Sequence, residues 1–321
     1  MGPKRSPFGH FVRQLGGISD ERVEECLERQ RVQGGRLGEI FTEKGLLSRE
    51  QVLDILRLQA RSVAAAVNDQ AGSPRLPFPT FFSLCMPAYN EEGNIESTLD
   101  SACAILPELV QRFEVIVAND GSRDRTGEVV AAYAARDEHV RLVNLDKNLG
   151  YGGAVRSALR AAQGDLIAFT DSDGQFSLLD LPNLLGCSHA NDVVVGYRYP
   201  RADPWYRSMN AFAWNRLIRL LFGVRVRDLD CAFKLFHREV LENIEMTANG
   251  AAINAEILAQ VFRDRLRIKE VPVGHFPRYH GAPSGAGLKV IMKAFKELPQ
   301  LWKYRSKPAL LPAGKRVLTR V

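Results

Sequence analysis

The chain has 321 residues, 45% hydrophobic and 25% charged, with a net charge of +6. That length accommodates one large domain or two unequal ones, and the apolar share excludes wholesale disorder and a fibrous repeat. No run of about 18 apolar residues argues for a bilayer-spanning helix, and five cysteines without a CxxC pair argue against a disulfide framework or zinc knuckle and for a reducing cytoplasm.

In chain order, the N-terminal cations lack a following apolar core, so no secretory signal is expected. Residues 1–62 read as a repeat. Pro7–Gln30 and Arg36–Gln59 are blocks of 24 residues separated by Arg31–Gly35. Gly9 pairs with Gly38, Gly16 with Gly45, Val23 with Val52, Leu27 with Leu56 and Gln30 with Gln59. Each block predicts a short helix, a glycine turn and a second helix, and Ser48 with Gln51 forms a capping box. The product is a small all-α bundle, for which a plain packing adaptor is a sufficient role. Residues 63–79 lose the pattern, and Gly72-Ser73-Pro74 and Leu76-Pro77-Phe78-Pro79 predict a linker.

From 80 to 281 strands and helices alternate. Strands are expected over 81–86, 113–118, 140–145, 166–170, 193–196, 232–236 and 268–273. Helices are expected over 93–111, 124–136, 150–163, 203–222 and 254–262. This is the signature of an α/β domain with a mostly parallel sheet. Residues 282–321 carry an amphipathic helix and a basic tail. Leu288, Ile291, Phe295, Leu298 and Trp302 repeat at spacings of three and four among Lys289, Lys293, Lys296 and Lys303. Pro299 should kink or end this helix. Such a stripe packs on its own domain or lies on an anionic membrane surface. Neither this basic run nor that of 198–227 comes with an RNA-binding aromatic motif or a helix-turn-helix pair, so nucleic acid is not an expected partner.

In open α/β sheets ligands bind at the carboxyl ends of the strands. Those ends carry Pro87-Ala88-Tyr89-Asn90-Glu91-Glu92, Asn119-Asp120-Gly121-Ser122, Asp146-Lys147-Asn148-Leu149-Gly150-Tyr151-Gly152-Gly153 and Asp171-Ser172-Asp173-Gly174. There is no GxxxxGK[ST] phosphate loop. Asp171 and Asp173, one residue apart after an apolar strand, are a donor pair for a divalent cation, which prefers one or two carboxylates plus substrate phosphate. Alone, Asp-x-Asp-Gly is a common turn; in this company it reads as a site.

These four ordered motifs resemble the inverting family 2 glycosyltransferases, and within them the polyprenyl-phosphate sugar synthases (dolichyl-phosphate mannose synthase and its bacterial relatives). The likeness spans about Phe81 to His280. It implies a single nucleotide-sugar-binding, GT-A-like domain, a nucleotide-sugar donor and Mg2+ or Mn2+. Carried over by position, it gives Pro87, Tyr89, Glu91, Asp120, Lys147 and Gly150 to the nucleotide, with Asp120 on the base. Asp171 and Asp173 hold the metal and donor diphosphate, and Arg198 and Arg216 the acceptor phosphate. For both arginines a solvated surface is the competing role. Asn119 stands where many members have aspartate, leaving UDP- and GDP-sugars both open. Asp228-Leu229-Asp230-Cys231-Ala232-Phe233-Lys234 resembles the late acidic motif beneath the sugar; Asp230 is the candidate base if the acceptor is a glycan hydroxyl rather than a polyprenyl phosphate. The loop His275–Gly281 is expected to fold over the site. A nonenzymatic nucleotide-sensing module is the alternative from another class.

The N-terminal repeat resembles the c-di-GMP-binding N-terminal domain of MshE-type secretion ATPases, whose pattern is two 24-residue blocks five residues apart. That implies c-di-GMP at Arg36, Leu37, Gly38 and Gly45. The first block departs, with Pro7 and Phe8 where arginine and leucine are expected. The expected location is the cytoplasm, peripheral at the inner face of the membrane if the terminal helix meets lipid.

Overall fold

A computed structural model describes residues 7–15, 17–68, 78–199, 205–278 and 288–306. The bundle is α1 (Pro7–Leu15), α2 (Asp20–Gln33), α3 (Leu37–Glu43) and α4 (Arg49–Asn68). Ser48 and Gln51 cap α4 reciprocally, Gln51 N–H donating to Ser48 Oγ at 3.1 Å and Ser48 N–H to Gln51 Oε1 at 2.8 Å. Phe8, Val12, Val23, Cys26, Ile40, Phe41 and Ile55 form the bundle core.

α4 does not stop at residue 62. Helix-favouring Ala64-Ala65-Ala66 carries it to Asn68, and Ala60, Ala64 and Val67 enter the core of the second domain. Val67 lies so close to Gly186 that a Cβ there would meet it at 2.7 Å. Of the linker expected over 63–79, residues 63–68 thus belong to α4 and 78–79 to β1, with 69–77 outside the described residues.

The second domain follows as β1 (Phe78–Ala88), α5 (Ile95–Ile105), β2 (Val110–Asn119), α6 (Thr126–Arg136), β3 (Val140–Asn144), α7 (Tyr151–Ala161), β4 (Leu166–Phe169), α8 (Leu181–Ser188), β5 (Val193–Arg198), α9 (Trp205–Phe222), β6 (Lys234–His237), α10 (Arg238–Glu242), α11 (Ile253–Arg263), β7 (Ile268–Val273) and α12 (Leu288–Ser306). The sheet order is β3-β2-β1-β4-β6-β5-β7. β6 runs antiparallel to β4 and β5; the other pairings are parallel. The α/β class and mostly parallel sheet are as expected. Val115, Ile116, Val117 and Ala118 are fully buried in a row, as in a strand covered on both faces.

The helix expected over 93–111 ends at Ile105, because Pro107 opens a short 3-10 turn at Leu106–Glu108 and β2 takes Val110 onward. α8 and α10 lacked a clear sequence pattern. α12 passes through Pro299 without ending. It packs on the domain through Leu301 and Tyr304, both buried, and through Phe295 on Trp214 and Trp302 on Phe222. The side chains of Leu288 and Ile291 and the basic tail lie outside the described residues. No helix among the described residues is long and apolar enough to cross a membrane.

Candidate active site

β1, β2 and β3 stop level, Ala88 opposite Asn119 and Asn119 opposite Asn144, so their turns share one edge with the end of β4. After Phe169 the chain turns through Asp171-Ser172-Asp173-Gly174. Ser172 Oγ donates to Pro87 O at 2.7 Å, which ties the turn to the end of β1. Gln175 N–H donates to Asp173 Oδ1 at 3.1 Å. Gly174 sits at φ +76°, a conformation that favours glycine.

Burial raises the pKa of Asp171, and the neighbouring Asp173 charge adds to it; a hydrogen bond from Tyr151 and the charges of Arg198 and Lys234 oppose the rise. Asp173 is raised by burial too, opposed by the Gln175 N–H, Arg278 and Arg36. Two desolvated carboxylates of like charge at one turn favour a cation. Hard oxygen donors in that arrangement fit Mg2+ or Mn2+.

Glu91 is buried beside this pair. Arg278 Nη2 donates to Glu91 Oε1 at 2.6 Å, Asn94 Nδ2 donates to Oε2 at 2.8 Å, and Arg278 Nη1 lies 3.5 Å from Asp173 Oδ2. The stretch carrying Arg278 is pinned across the acidic turn. Phe276 N–H donates to Gln175 O at 2.8 Å, Gln175 Nε2 donates to Phe276 O at 2.9 Å, and His275 bridges to Phe176. Tyr279, His280 and Gly281 fall outside the described residues.

Asp120 is buried and accepts the N–H groups of Leu149 at 2.7 Å and Gly150 at 2.9 Å. Its observed partners are thus the turn that opens α7, with Gly150 at φ +89°. That turn sets Tyr151 against Asp171. The next residue, Gly152, admits no side chain: a Cβ would stand 2.5 Å from Ala248 O. Tyr89 is half-buried and Lys147 exposed at the rim.

The late motif closes the other side. Arg198 Nε and Nη2 donate to Asp228 at 2.7 and 2.8 Å, a bidentate pair at the last residue of β5. Lys234 is wholly buried on β6 and donates to Leu229 O at 3.1 Å, to Cys231 O and to Asn254 Oδ1 at 2.7 Å. Burial lowers its pKa, and Asp230 and Asp228 are near enough to counter that. Arg216 is exposed on α9, in keeping with the solvated-surface role. Of the residues expected to meet c-di-GMP, Leu37 is in the bundle core and Gly38 packs on Val52. Gly45 makes a turn at φ +65°. Arg36 reaches the acidic turn, its Nε 3.4 Å from Gly174 O.

The structure thus brings Glu91, Asp120, Asp171, Asp173, Asp230 and Arg198 to one edge. Tyr151, Lys234 and the Glu91 partnership of Arg278 went unassigned in the sequence. Lys234 had one signal, its place in the late acidic motif as a cation inside the apolar run 231–236.

The family model for glycosyl transferase family 2 matches residues 83–245, half of the chain. The chain belongs to this family. Glycosyltransferase AglD of Haloferax volcanii is 34% identical over 206 residues, 61% of this chain and 33% of that protein. The dolichyl-phosphate beta-glucosyltransferase ALG5A of Trichomonas vaginalis is 31% identical over 227 residues, 63% of this chain and 70% of that one. An undecaprenyl-phosphate 4-deoxy-4-formamido-L-arabinose transferase of Aeromonas hydrophila is 31% identical over 202 residues, 62% of this chain and 61% of its own length. The family 2 fold also matches the crystal structure of Mycobacterium tuberculosis glucosyl-3-phosphoglycerate synthase with Mn2+, UDP and glucosyl-3-phosphoglycerate. The TM-score is 0.56 at 23% identity, over 78% of this chain and 85% of that one. As a family 2 glycosyltransferase the chain is an enzyme by class, and the partly buried acidic turn follows β4.

Proposed function

We propose that this glycosyltransferase moves a sugar from a UDP- or GDP-sugar to a polyprenyl phosphate, inverting the anomeric carbon. The observation that carries the reading is the partly buried Asp171–Asp173 turn, flanked by Glu91 and Arg278 on one side and by Arg198 on the other. The names of the Trichomonas and Aeromonas relatives support the lipid-phosphate acceptor, and the Mn2+ and UDP of the mycobacterial structure support a divalent cation and a nucleotide donor.

Asp171 and Asp173 would hold Mg2+ or Mn2+. Among the described residues no three acidic, His or Cys side chains are placed to hold one metal ion together, so the diphosphate and water would complete the shell. The bound cation supplies Lewis-acid neutralisation of the departing nucleoside diphosphate. Tyr151 orients Asp171 through its hydroxyl, and the Arg278–Glu91 pair closes the acidic turn from above. Arg198, fixed in direction by Asp228, offers a guanidinium plane suited to a phosphate. A phosphate oxygen is already anionic and needs no strong base. A glycan hydroxyl would need one, and Asp230, whose charge reaches Tyr151 as that of Asp171 does, favours that second reading. Incubation with UDP- and GDP-sugars plus undecaprenyl phosphate distinguishes them: an inverted glycosyl phospholipid supports the first, and transfer to glycan hydroxyls alone contradicts it.

The surface of α9 and α12 supports peripheral membrane contact. Leu220 is 80% exposed, Phe212 70% and Met209 60%. A groove of about 440 Å³ lined by Leu221, Phe295, Leu298, Pro299 and Trp302 adjoins them. Exposed Arg216, Arg219, Lys296 and Lys303 share the region. For the bundle we propose c-di-GMP as ligand, on the strength of the repeat spacing. Arg36 is engaged with the catalytic domain, so the ligand would compete with that docking. Calorimetry on the full chain with c-di-GMP, compared with Arg36→Ala, tests it; absence of heat contradicts it.

A further inference from the structure

Arg36 stands at the start of α3 on an extended backbone, and its side chain leaves the bundle. Nη1 donates to Ser97 O at 2.9 Å and Ser101 Oγ at 3.2 Å, and Nη2 donates to Thr98 Oγ1 at 3.0 Å. These partners lie on α5. Nε faces Gly174 O at 3.4 Å, and the guanidinium lies against Gly174 so closely that a Cβ there would meet Nε and Nη2 at 3.1 Å. Thr98 extends the chain of contacts inward, its Oγ1 3.2 Å from Ser172 O. The contacts of Arg36 thus reach both residues that flank Asp173.

The residues before Arg36 dock on the opposite wall. Gly35 N–H donates to Pro277 O at 3.5 Å, and a Cβ on Gly34 would meet Pro277 Cβ at 2.6 Å. Pro277 precedes Arg278, the partner of Glu91 and Asp173. The bundle therefore touches the acidic turn from behind and the strap over it from the side. Several acceptors spread around a single cation call for a planar, multi-donor guanidinium rather than an ammonium.

We propose that Arg36 is a positioning residue for the Asp171–Gly174 turn, supplied by the helical bundle, so that the bundle is part of the donor-binding unit. The inference rests on the reading of Asp171 and Asp173 as the donor site. Steady-state release of nucleoside diphosphate by the full chain tests it, using Arg36→Ala, Arg36→Lys, Arg61→Ala and Asp173→Asn. Arg61 pairs with Glu108 at 2.6 and 2.8 Å across the same domain boundary, away from the turn, and controls for docking alone.

In Arg36→Ala the donor KM and the half-activating Mn2+ concentration should each rise about tenfold, with kcat changed far less, as for loss of charge-assisted hydrogen bonds. Arg36→Lys should recover only part, and Arg61→Ala should stay within about twofold of wild type. If Arg36→Ala lowers the melting temperature, Thr98→Val, which cuts the link to Ser172 from inside the catalytic domain, must give the same rise in KM. An unchanged KM and Mn2+ requirement in Arg36→Ala, or an equal loss in Arg61→Ala, overturns the proposal. Normal turnover in Asp173→Asn overturns the donor-site reading instead.

Discussion

Lys234 holds its ammonium inside the sheet, against Leu229 O, Cys231 O and Asn254 Oδ1. Leu229 and Cys231 flank Asp230 in the turn that presents it, and Asn254 lies on α11. Lys234→Met keeps the apolar stem and strips the donors, leaving buried carbonyls unsatisfied at about 1–3 kcal/mol each. The expected outcome is a loss of roughly 2 kcal/mol or more in urea unfolding, together with impaired transfer. Unchanged stability would make the lysine a passenger. Asp171 and Asp173 were legible because a two-residue spacing after an apolar strand is a local feature. The burial of Lys234 and the contacts of Arg278 with Glu91 and Asp173 were not, since each of these side chains meets the acidic cluster only when distant parts of the chain come together. A buried charge looks the same in sequence as a solvated one. Asp120 shows the reverse case: its place was legible, but its partners, the N–H groups of Leu149 and Gly150, depend on how the third turn folds back.

At the scale of elements, the strand–helix alternation gave the parallel part of the sheet, since apolar runs and helical periods are short-range patterns. It was silent on the antiparallel β6 wedged between β4 and β5, because strand order depends on long-range pairing. The short 3-10 turn at Leu178–Asp180 ties α8 to the strap over the site: Asp180 Oδ2 accepts the Gly274 N–H at 2.7 Å. Burial pushes the Asp180 carboxyl up to about 6 from 3.8, partly offset by that bond. A carboxyl raised in the folded state costs nothing while both states are protonated. As pH climbs from about 4 to about 6, the unfolded chain ionises first, and stability is lost. Asp180→Asn keeps an acceptor without a charge. It should raise the melting temperature by about 2–4 °C at pH 7.5 and leave it unchanged near pH 4. A gain of equal size at both pH values would point to packing rather than ionisation.

At the scale of the whole molecule, the repeat of two 24-residue blocks was legible, while its attachment was not. The proline-bearing segment predicted a separated adaptor, yet the second half of α4 shares the catalytic core through Ala60, Ala64 and Val67. Small side chains carry little sequence signal about which surface they meet. On the far side, the exposed apolar residues of α9 are flanked by cations. An anionic bilayer surface suits both. Wild type should sediment with phosphatidylglycerol vesicles and much less with phosphatidylcholine vesicles. Phe212→Asp combined with Leu220→Asp should cut the bound fraction about tenfold. Equal binding to both vesicle types, or binding untouched by the pair of substitutions, removes the membrane face.

The most direct measurement is nucleoside diphosphate release from UDP- and GDP-sugars with undecaprenyl phosphate, comparing wild type with Asp173→Asn in Mn2+, Mg2+ and EDTA. Turnover should require the cation, vanish in EDTA, and fall about a hundredfold or more in Asp173→Asn while the melting temperature holds. Turnover that persists in EDTA, or Asp173→Asn within a factor of about two of wild type at saturating donor, would contradict the assignment of this turn as the donor site.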